Sequence, residues 1–296
     1  MIESNQFPLI EIKLTTSSEV NRIKLEASLV GLARNDSQLV FTTESESDET
    51  LIGGKSEIHL DSIIKSLQSH GLVFKIGAPQ VSYRETITRG VHTDYTFKKS
   101  VAGQAEYARV VLAIEPAARG AGNTLNSEAI NNSDLIKFLP AVAKGIYSVL
   151  SSGPIIGFPI VDLNVTWLDG AYHEVDSSQL AFEVAARTAI RQMIDDASPV
   201  LLEPIMKVKI TMPEPYLGVV IESLNSRRGK VLGTTDRNKM CAIDALVSLA
   251  NMFGYGLSLQ NISNGLAAFT MDFSHYQIVG PPSDPDNFSP AVAKRA

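Results

Sequence analysis

The chain lacks several features that mark specialised classes of protein. It has 296 residues but a single cysteine, Cys241, which excludes an internal disulfide framework and fits a reducing compartment. No apolar run approaches the roughly eighteen residues that a membrane helix needs. The first residues do not show the basic-then-apolar pattern of a secretory signal. These absences predict a cytoplasmic protein with no membrane partner.

The charge balance is acidic overall and uneven along the chain. A net charge of −6 argues against a general nucleic-acid binder. Residues 204–280 nevertheless carry seven basic and five acidic side chains, and five of the basic ones lie between Arg227 and Lys239. A local basic cluster on an acidic chain suits contacts with structured RNA at defined points. A solvated surface without a partner explains the same pattern, so charge alone leaves both interpretations open.

Composition and periodicity predict an α+β chain of three domains followed by a tail. Hydrophobic residues make up 44% of the chain and charged residues 20%, as in ordinary globular proteins. We place the domains at residues 1–77, 78–203 and 204–279, and expect the proline-rich residues 280–296 to be disordered.

The two outer domains have the same predicted order of elements, β-α-β-β-α-β, which is typical of a ferredoxin-like fold. Ser17 or Ser18 is a plausible cap of the first helix. The first domain is predicted to contain, in order, Leu9–Leu14, Ser17–Leu32, Gln38–Thr43, Thr50–Ile52, Ser56–Ser69 and Leu72–Ile76. The last is predicted to contain Ile205–Met212, Glu214–Arg227, Lys230–Thr235, Met240–Leu249, Asn251–Asn264 and Ala267–His275.

The first half of the middle domain is predicted as two strands and a helix. A loosely alternating strand over Ser82–Phe97 leads into a polar loop, Lys98–Glu106, and a returning strand, Tyr107–Glu115. The polar segment Asn123–Asn132 reads as a surface connection, and Asp134–Leu150 as a helix with one apolar side.

The second half of the middle domain is predicted to present a loop with aromatic and ionisable side chains. Leu163, Val165 and Trp167 fall on one face of a strand, which the Asp169-Gly170 pair is expected to end in a tight turn. Asp176 to Gln179 supplies candidate caps for a following helix. The apolar stripe of that helix consists of Phe182, Ala185, Ala186, Ala189, Ile190, Met193 and Ile194. We expect the loop around His173 to lie beside the one around Gly103.

Three short patterns that suggest enzymes are incomplete. Gly54-Lys55-Ser56 is half of a phosphate-binding P-loop, but Glu49 stands where the other half needs glycine. The segment 238–241 imitates the guanine-reading NKxD motif, but Cys241 replaces the aspartate. His173, with acidic neighbours at 174 and 176, lacks the spacing of a zinc site and has no partner pattern for catalysis. We therefore predict no catalytic residue and no metal site.

Long motifs along the chain resemble translation elongation factor G. SGPIIGFPIVDLNVTWLDGAYHEVDSSQLAF (Ser152–Phe182) and GAPQVSYRETI (Gly77–Ile87) resemble its fourth domain. TLIGGKSEIHLD (Thr50–Asp61) resembles its third domain, with serine where the family usually has glycine. PVLLEPIMKVKI (Pro199–Ile210) and the segment from MFGYGLSLQ to MDFSHY (Met252–Tyr276) resemble the remainder of the factor. The resemblance covers residues 8–279.

The resemblance implies that the middle domain has a ribosomal-protein-like fold and an RNA-contacting tip. In the family this tip enters the decoding site behind the transfer RNA, and the histidine at the place of His173 lies near the codon–anticodon helix. The adjacent loop, Ser100–Glu106, has less glycine here than in the family, and Glu106 would face RNA phosphates unfavourably. The expected contact residues are Lys98, Lys99, Gly103, Gln104, Asp169, Gly170, Tyr172, His173, Glu174 and Asp176.

The resemblance also implies a ribosome contact in the last domain. Arg227 and Arg228 in LNSRRGKV match the family's motif residue by residue, and we add Lys230 to this set. Cations that satisfy a helix C-terminus offer a structural interpretation of the same residues, and both interpretations can hold together.

The resemblance extends to domains three to five and leaves out the GTPase and β-barrel domains that precede them in the family. We therefore expect no GTP hydrolysis and no cofactor in this chain, with GTP and magnesium belonging to the missing domain. The expected role is that of a monomeric, ribosome-binding part of a translocase, which contacts ribosomal RNA and proteins at the factor site and promotes tRNA–mRNA movement. The alternatives are an inhibitory regulator competing for the factor site, an inert fragment, and a ribosome-protection factor related to tetracycline resistance, which the YHEVDSS tip disfavours.

Overall fold

A computed structural model describes residues 8–43, 49–101, 104–128, 134–237 and 239–279 of the chain. The predicted disordered tail lies outside the described residues. The strands are β1 (Ile10–Thr15), β2 (Val40–Thr43), β3 (Glu49–Gly54), β4 (Lys75–Ile76), β5 (Gln80–Val81), β6 (Arg84–Ile87), β7 (Val91–Val101), β8 (Gln104–Pro116), β9 (Thr124–Ser127), β10 (Leu163–Ala171), β11 (Pro199–Pro213), β12 (Lys230–Arg237), β13 (Met240–Ser248) and β14 (Ala268–Ile278). The α-helices are α1 (Glu19–Asn35), α2 (Glu57–Ser69), α3 (Leu139–Leu150), α4 (Gln179–Asp196), α5 (Leu217–Ser226) and α6 (Tyr255–Ile262).

The described residues divide into two compact units. The outer unit contains residues 8–82 and 203–277, and the middle unit contains residues 83–202 and 278–279. Strand β11 passes from one to the other, and its first four residues pair with β6 inside the middle unit. The predicted domain boundaries after residues 77, 203 and 279 stay predictions.

The outer unit contains two sheets with the same order of strands. The first is arranged β2-β3-β1-β4, with β5 also paired to β1, and the second is arranged β12-β13-β11-β14. Both follow from a β-α-β-β-α-β chain, which confirms the ferredoxin-like prediction for each end and the α+β class. Ser18 and Ser56 cap α1 and α2, since each hydroxyl accepts an amide proton of the first turn.

The apolar stripe of α2 is buried as predicted, whereas two helices of the last predicted domain begin later than the sequence predicts. Leu60, Ile63, Ile64 and Leu67 of α2 are all buried in the first sheet's core. The predicted helix from Glu214 begins instead with a 3₁₀ turn, Glu214–Tyr216, before α5. The predicted helix from Asn251 begins with the 3₁₀ turn Leu249–Met252, and Gly254 at a φ of 66° separates that turn from α6.

Besides the pairing of β6 with β11, the middle unit contains a four-stranded sheet, ordered β7-β8-β10-β9, with α3 and α4 packed on one face. The predicted stripe of α4 is buried in full and packs with Leu163, Val165 and Trp167 of β10. Gly145 of α3 allows the two helices to approach closely, because an added Cβ would lie 2.4 Å from the carbonyl oxygen of Glu183. Pro140 lies in the first turn of α3, where the missing amide proton costs nothing.

Three sequence predictions for the middle unit are wrong in their boundaries. The single strand predicted over Ser82–Phe97 is two strands, β6 and β7. The predicted polar loop Lys98–Glu106 is mostly a ladder, in which Lys98 lies opposite Tyr107 and Val101 opposite Gln104. The predicted connection over Asn123–Asn132 contains β9, which pairs in parallel with β10. Polar residues form strands here because one face of this sheet is exposed.

The predicted turn at Asp169-Gly170 is also wrong. Both residues lie inside β10, which continues to Ala171 with a bulge between Trp167 and Asp169. The glycine meets a packing requirement, because a Cβ at position 170 would lie 2.7 Å from the carbonyl oxygen of Arg109. The absence of a side chain therefore permits close approach to β8.

Candidate functional site

The middle unit carries an open depression of about 670 Å³ at the end of its β7–β8 hairpin. One side is the hairpin end, which we define as residues 98–101 and 104–107. The other side is the tip loop, residues 172–178, between β10 and α4. The structure thus places the ends of β7 and β8 beside the tip loop, whereas the predicted loop residue Gly103 lies outside the described residues. The depression is lined by Lys98, Lys99, Ser100, Ala105, Glu106, Tyr107, Tyr172, His173 and Asp176.

The tip loop is fixed by hydrogen bonds to the backbone of β8. The β8–β10 ladder ends at the pair of Arg109 and Ala171. Beyond that pair, the amide of Tyr107 donates to the carbonyl of Asp176 over 2.8 Å. The hydroxyl of Ser177 donates to the carbonyl of Tyr107 over 2.6 Å. The loop therefore satisfies backbone groups that a longer β10 would otherwise satisfy.

His173 projects from this loop with a fixed backbone and an exposed side chain. Its amide donates to Ser177 Oγ over 2.8 Å, and its carbonyl accepts from the Ser177 amide over 3.1 Å. The ring nitrogen Nδ1 lies 3.0 Å from Asp176 Oδ2 and 3.4 Å from the Asp176 amide. A single ring nitrogen cannot both donate a proton to the carboxylate and accept one from the amide. The shorter contact, with the carboxylate, is therefore the stronger of the two. The side chain is 59% exposed, which leaves the imidazole available to a partner.

Tyr172 packs against the segment before α3. Its ring lies against Phe138 with 6.0 Å between centroids, and Lys137 Nζ lies 4.5 Å from its centroid. A hydrogen bond to Asp134, with a smaller contribution from burial, raises the pKa of the Tyr172 hydroxyl. The half-buried ring therefore anchors the start of the tip loop to the segment before α3, and the predicted RNA contact of Tyr172 stays a prediction.

The hairpin end supplies the positive charge of the depression. Lys98 and Lys99 are both exposed, and the Lys98 ammonium lies 5.6 Å from the centroid of the Tyr107 ring. Glu106 is half-buried and lies opposite Lys99 in the ladder. Two exposed lysines beside an exposed imidazole suit phosphate and sugar oxygens.

The structure does not bring every predicted contact residue to the depression. Asp169 and Gly170 lie in β10 and are not among its lining residues, and Asp169 Oδ2 lies 3.4 Å from the Arg109 guanidinium. Arg109 also binds both carboxylate oxygens of Asp94, over 2.8 and 2.5 Å, and this hydrogen bonding lowers the pKa of Asp94. Glu174 is exposed on the tip loop but does not line the depression. Gly103 and the side chain of Gln104 lie outside the described residues.

The basic residues of the outer unit have separate roles. The Arg227 guanidinium donates to the carbonyls of Asn251 and Phe253 over 2.5 and 3.3 Å, and to Ser258 Oγ over 3.1 Å. For Arg227 these contacts favour the structural interpretation. The carbonyls that its guanidinium binds lie near α6, whereas the sequence predicts carbonyls at a helix C-terminus. Arg228 and Lys230 are exposed.

Sequence reasoning missed the residues that position the tip. The sequence predicts Ser177 only as a candidate cap, whereas Ser178 caps α4 by accepting from the Ala181 amide over 3.0 Å. The sequence offers one sign of this role: Ser177 stands next to Ser178, although the helix needs only one capping serine. The contacts of Lys137 and Phe138 with Tyr172 join segments more than thirty residues apart and leave no local pattern.

Within the ranges that the structure describes, no group of three or more His, Cys, Asp or Glu side chains could hold a metal ion. Among those same residues, no helix is long and apolar enough to cross a membrane. The expected absence of a cofactor stays a prediction.

Comparison with known proteins identifies the family of the chain. Family models match it in three consecutive segments: domain III of elongation factor G over residues 7–78, domain IV over residues 79–198, and the elongation factor G C-terminus over residues 200–285. The chain belongs to the elongation factor G family. The predicted resemblance is thereby confirmed, and the matches correspond to the C-terminal part of this translation elongation factor.

Individual proteins that the chain resembles carry the same family name. The chain is 43% identical over 289 residues to elongation factor G of Paracoccus denitrificans (strain Pd 1222), covering 97% of this chain and 40% of the relative. It is 42% identical over 298 residues to elongation factor G of Rhodopseudomonas palustris (strain BisB18), covering 100% of this chain and 42% of the relative. A crystal structure of a Thermus thermophilus protein matches with a TM-score of 0.72 and 32% identity, over 93% of this chain and 41% of the other. The chain thus spans about two-fifths of the length of these relatives.

Proposed function

We propose that this chain is the ribosome-binding C-terminal part of an elongation factor G-type translocase, and that its tip promotes tRNA–mRNA movement in the decoding site. The observation that carries the proposal is the depression at the tip of the middle unit. It combines an exposed imidazole, His173, with the exposed ammonium groups of Lys98 and Lys99. The match to domain IV of the family over residues 79–198 supports this assignment.

The construction of the tip suits a part that displaces RNA. The hairpin end continues two long strands, and the tip loop is tied to β8 through both backbone groups of Tyr107. A site built on strands keeps its geometry better than a free loop does. A rigid projection can exclude a tRNA from the space it occupies, while its lysines and histidine bind phosphate and sugar oxygens.

The proposal includes the partners and location of the protein. Arg228 and Lys230 of the outer unit add ribosomal contacts at the factor site, and the protein acts as a monomer in the cytoplasm. This part of the factor hydrolyses no GTP and needs no cofactor. GTP and magnesium belong to the GTPase domain in the whole family protein.

Ribosome co-sedimentation tests the proposal. The purified chain is pelleted with ribosomes at low and moderate salt, with full-length elongation factor G as competitor. We expect pelleting that falls steeply with salt, because RNA contacts release counterions, and that the competitor abolishes. Absence of pelleting at both salts would contradict independent ribosome binding and favour an inert fragment. Binding that also blocks translocation by the full-length factor would favour the inhibitory alternative.

A variant pair locates the contact. Lys98→Ala/Lys99→Ala should weaken pelleting and flatten its salt dependence, because two phosphate contacts are removed. Arg191→Ala is the control, since it removes one exposed positive charge from the middle unit at a distance from the tip. Position 191 lies twelve residues along α4 from Gln179, about 18 Å from the tip end of that helix. Because the lysine variant removes two charges and Arg191→Ala removes one, an equal loss of binding per charge removed would argue for non-specific charge attraction.

A further inference from the structure

The edge of β8 beyond its ladder with β10 presents two backbone groups that need partners. In an antiparallel ladder, residues two apart direct their amide and carbonyl groups to the same neighbouring strand. Arg109 is the last residue of β8 paired to β10, so Tyr107 faces the position where β10 has ended. Left unpaired, its amide and carbonyl would lose the hydrogen bonds that the preceding residues make.

Ser177 fills this position and connects it to His173. Its hydroxyl donates its single proton to the Tyr107 carbonyl over 2.6 Å and accepts the His173 amide proton over 2.8 Å. Its own amide donates to the His173 carbonyl over 3.1 Å. Every hydrogen-bonding group of the His173 backbone is thus bound to one serine, and that serine is bound to β8.

We propose that Ser177 is a positioning residue, whose hydroxyl fixes the direction of the His173 side chain relative to the lysines of the hairpin end. The importance of this direction for ribosome binding rests on the proposed function. The chemistry requires a group that donates and accepts at once on a short side chain, which only serine or threonine supplies. The role is distinct from helix capping, because Ser178 caps α4.

Amide hydrogen exchange of the full chain tests the local part of the proposal. We expect Ser177→Ala to accelerate exchange of the His173 amide roughly tenfold, since one hydrogen bond of ordinary strength is lost. Ser177→Thr should restore protection. Ser178→Ala should lower the melting temperature through loss of the cap but leave the His173 amide protected. Unchanged His173 exchange in Ser177→Ala, or equal acceleration in Ser178→Ala, would overturn the proposal.

Ribosome co-sedimentation of the same variants tests the functional part. Ser177→Ala should bind several-fold more weakly than Ser178→Ala, which also loses stability but keeps the His173 amide protected, and Ser177→Thr should bind like the parent chain. Wild-type binding by a Ser177→Ala variant whose His173 amide exchanges faster would overturn the link between position and binding. If the parent chain itself fails to bind ribosomes, the proposed function fails, whereas the exchange data still decide whether Ser177 fixes His173.

Discussion

The guanidinium of Arg227 lies over the ring of Tyr255, with its central carbon 5.0 Å from the ring centroid. Tyr255 is fully buried, and the same guanidinium donates to two carbonyls and a hydroxyl around the start of α6. One arginine thus joins the end of α5 to α6. Planar stacking and a fork of donors are properties that lysine cannot reproduce.

We therefore predict that Arg227→Ala destabilises the outer unit by about 2 kcal/mol, because several charge-assisted hydrogen bonds are lost. Urea unfolding followed by circular dichroism measures the change in the free energy of unfolding. Arg228→Ala is the matched control, since it removes the neighbouring, exposed arginine and should change stability by less than about 0.5 kcal/mol. Equal destabilisation by both changes would contradict the structural role of Arg227.

Arg228 occupies a backbone conformation that favours glycine. Its φ is 56°, and it follows α5 in a Schellman arrangement, with the Gly229 amide bound to Leu224 and the Arg228 amide bound to Asn225. We predict that Arg228→Gly stabilises the outer unit by roughly 1 kcal/mol, since a side chain in this conformation is strained. The same change should weaken ribosome pelleting, whereas Lys230→Ala should weaken pelleting without stabilising the fold. A stabilised variant that binds normally would show that the Arg228 side chain has no role in binding.

The fold was predictable because burial repeats along the chain with the period of each element. The stripe from Phe182 to Ile194 and the alternation of Leu163, Val165 and Trp167 are local patterns, and both are buried as expected. The bulge after Trp167 and the parallel strand β9 were not predictable, because each depends on a neighbouring strand distant in sequence.

The candidate site was likewise predictable only in part. The resemblance placed His173 and the two lysines, and the structure brings them to one depression. The resemblance could not show that the Arg227 side chain is bound within its own unit. Nor could it show that Ser177 makes a hydrogen bond that a longer β10 would otherwise make. Those partners lie 24 to 70 residues away, and hydrogen-bond geometry has no sequence period.

Two glycines in helices are expected to respond in opposite ways to alanine. A Cβ at Gly145 would lie 2.4 Å from the Glu183 carbonyl of α4, so Gly145→Ala should destabilise the middle unit by about 2 kcal/mol through overpacking. Gly218 lies in α5 with open space around it, so Gly218→Ala should stabilise the outer unit by about 0.5–1 kcal/mol. Calorimetry of the two variants measures both signs. Stabilisation by Gly145→Ala would show that α3 and α4 lie further apart.

The pair of Asp36 and His59 should give the outer unit a dependence on acid. Asp36 Oδ2 lies 2.7 Å from His59 Nε2, and this hydrogen bond lowers the pKa of Asp36 below its ordinary value of 3.8. A depressed carboxyl pKa contributes stability that is present above the unfolded-state value and is lost as pH falls through the folded-state value.

We therefore predict that Asp36→Asn flattens the loss of stability that the parent chain shows as pH falls below about 3.8. Urea midpoints measured between pH 5 and pH 2 provide the comparison. His59→Gln should remove the same acid-dependent portion, because the hydrogen bond to His59 is the main cause of the shift. Parallel pH profiles for the parent and Asp36→Asn would show that the pair contributes nothing to acid sensitivity.

His173 is expected to matter for function and not for folding. Its side chain is exposed and its contact with Asp176 lies at the surface, so His173→Ala should change the free energy of unfolding by less than about 1 kcal/mol. When the change is placed in a full-length elongation factor G that carries this segment, tRNA movement should slow about tenfold, as expected for loss of one hydrogen bond to an RNA oxygen. Val175→Ala is the matched control, since Val175 is 85% exposed on the same loop. Unfolding of the His173→Ala variant would make the residue structural, and equal slowing by Val175→Ala would assign the effect to the loop as a whole, because only a specific imidazole contact separates the two variants.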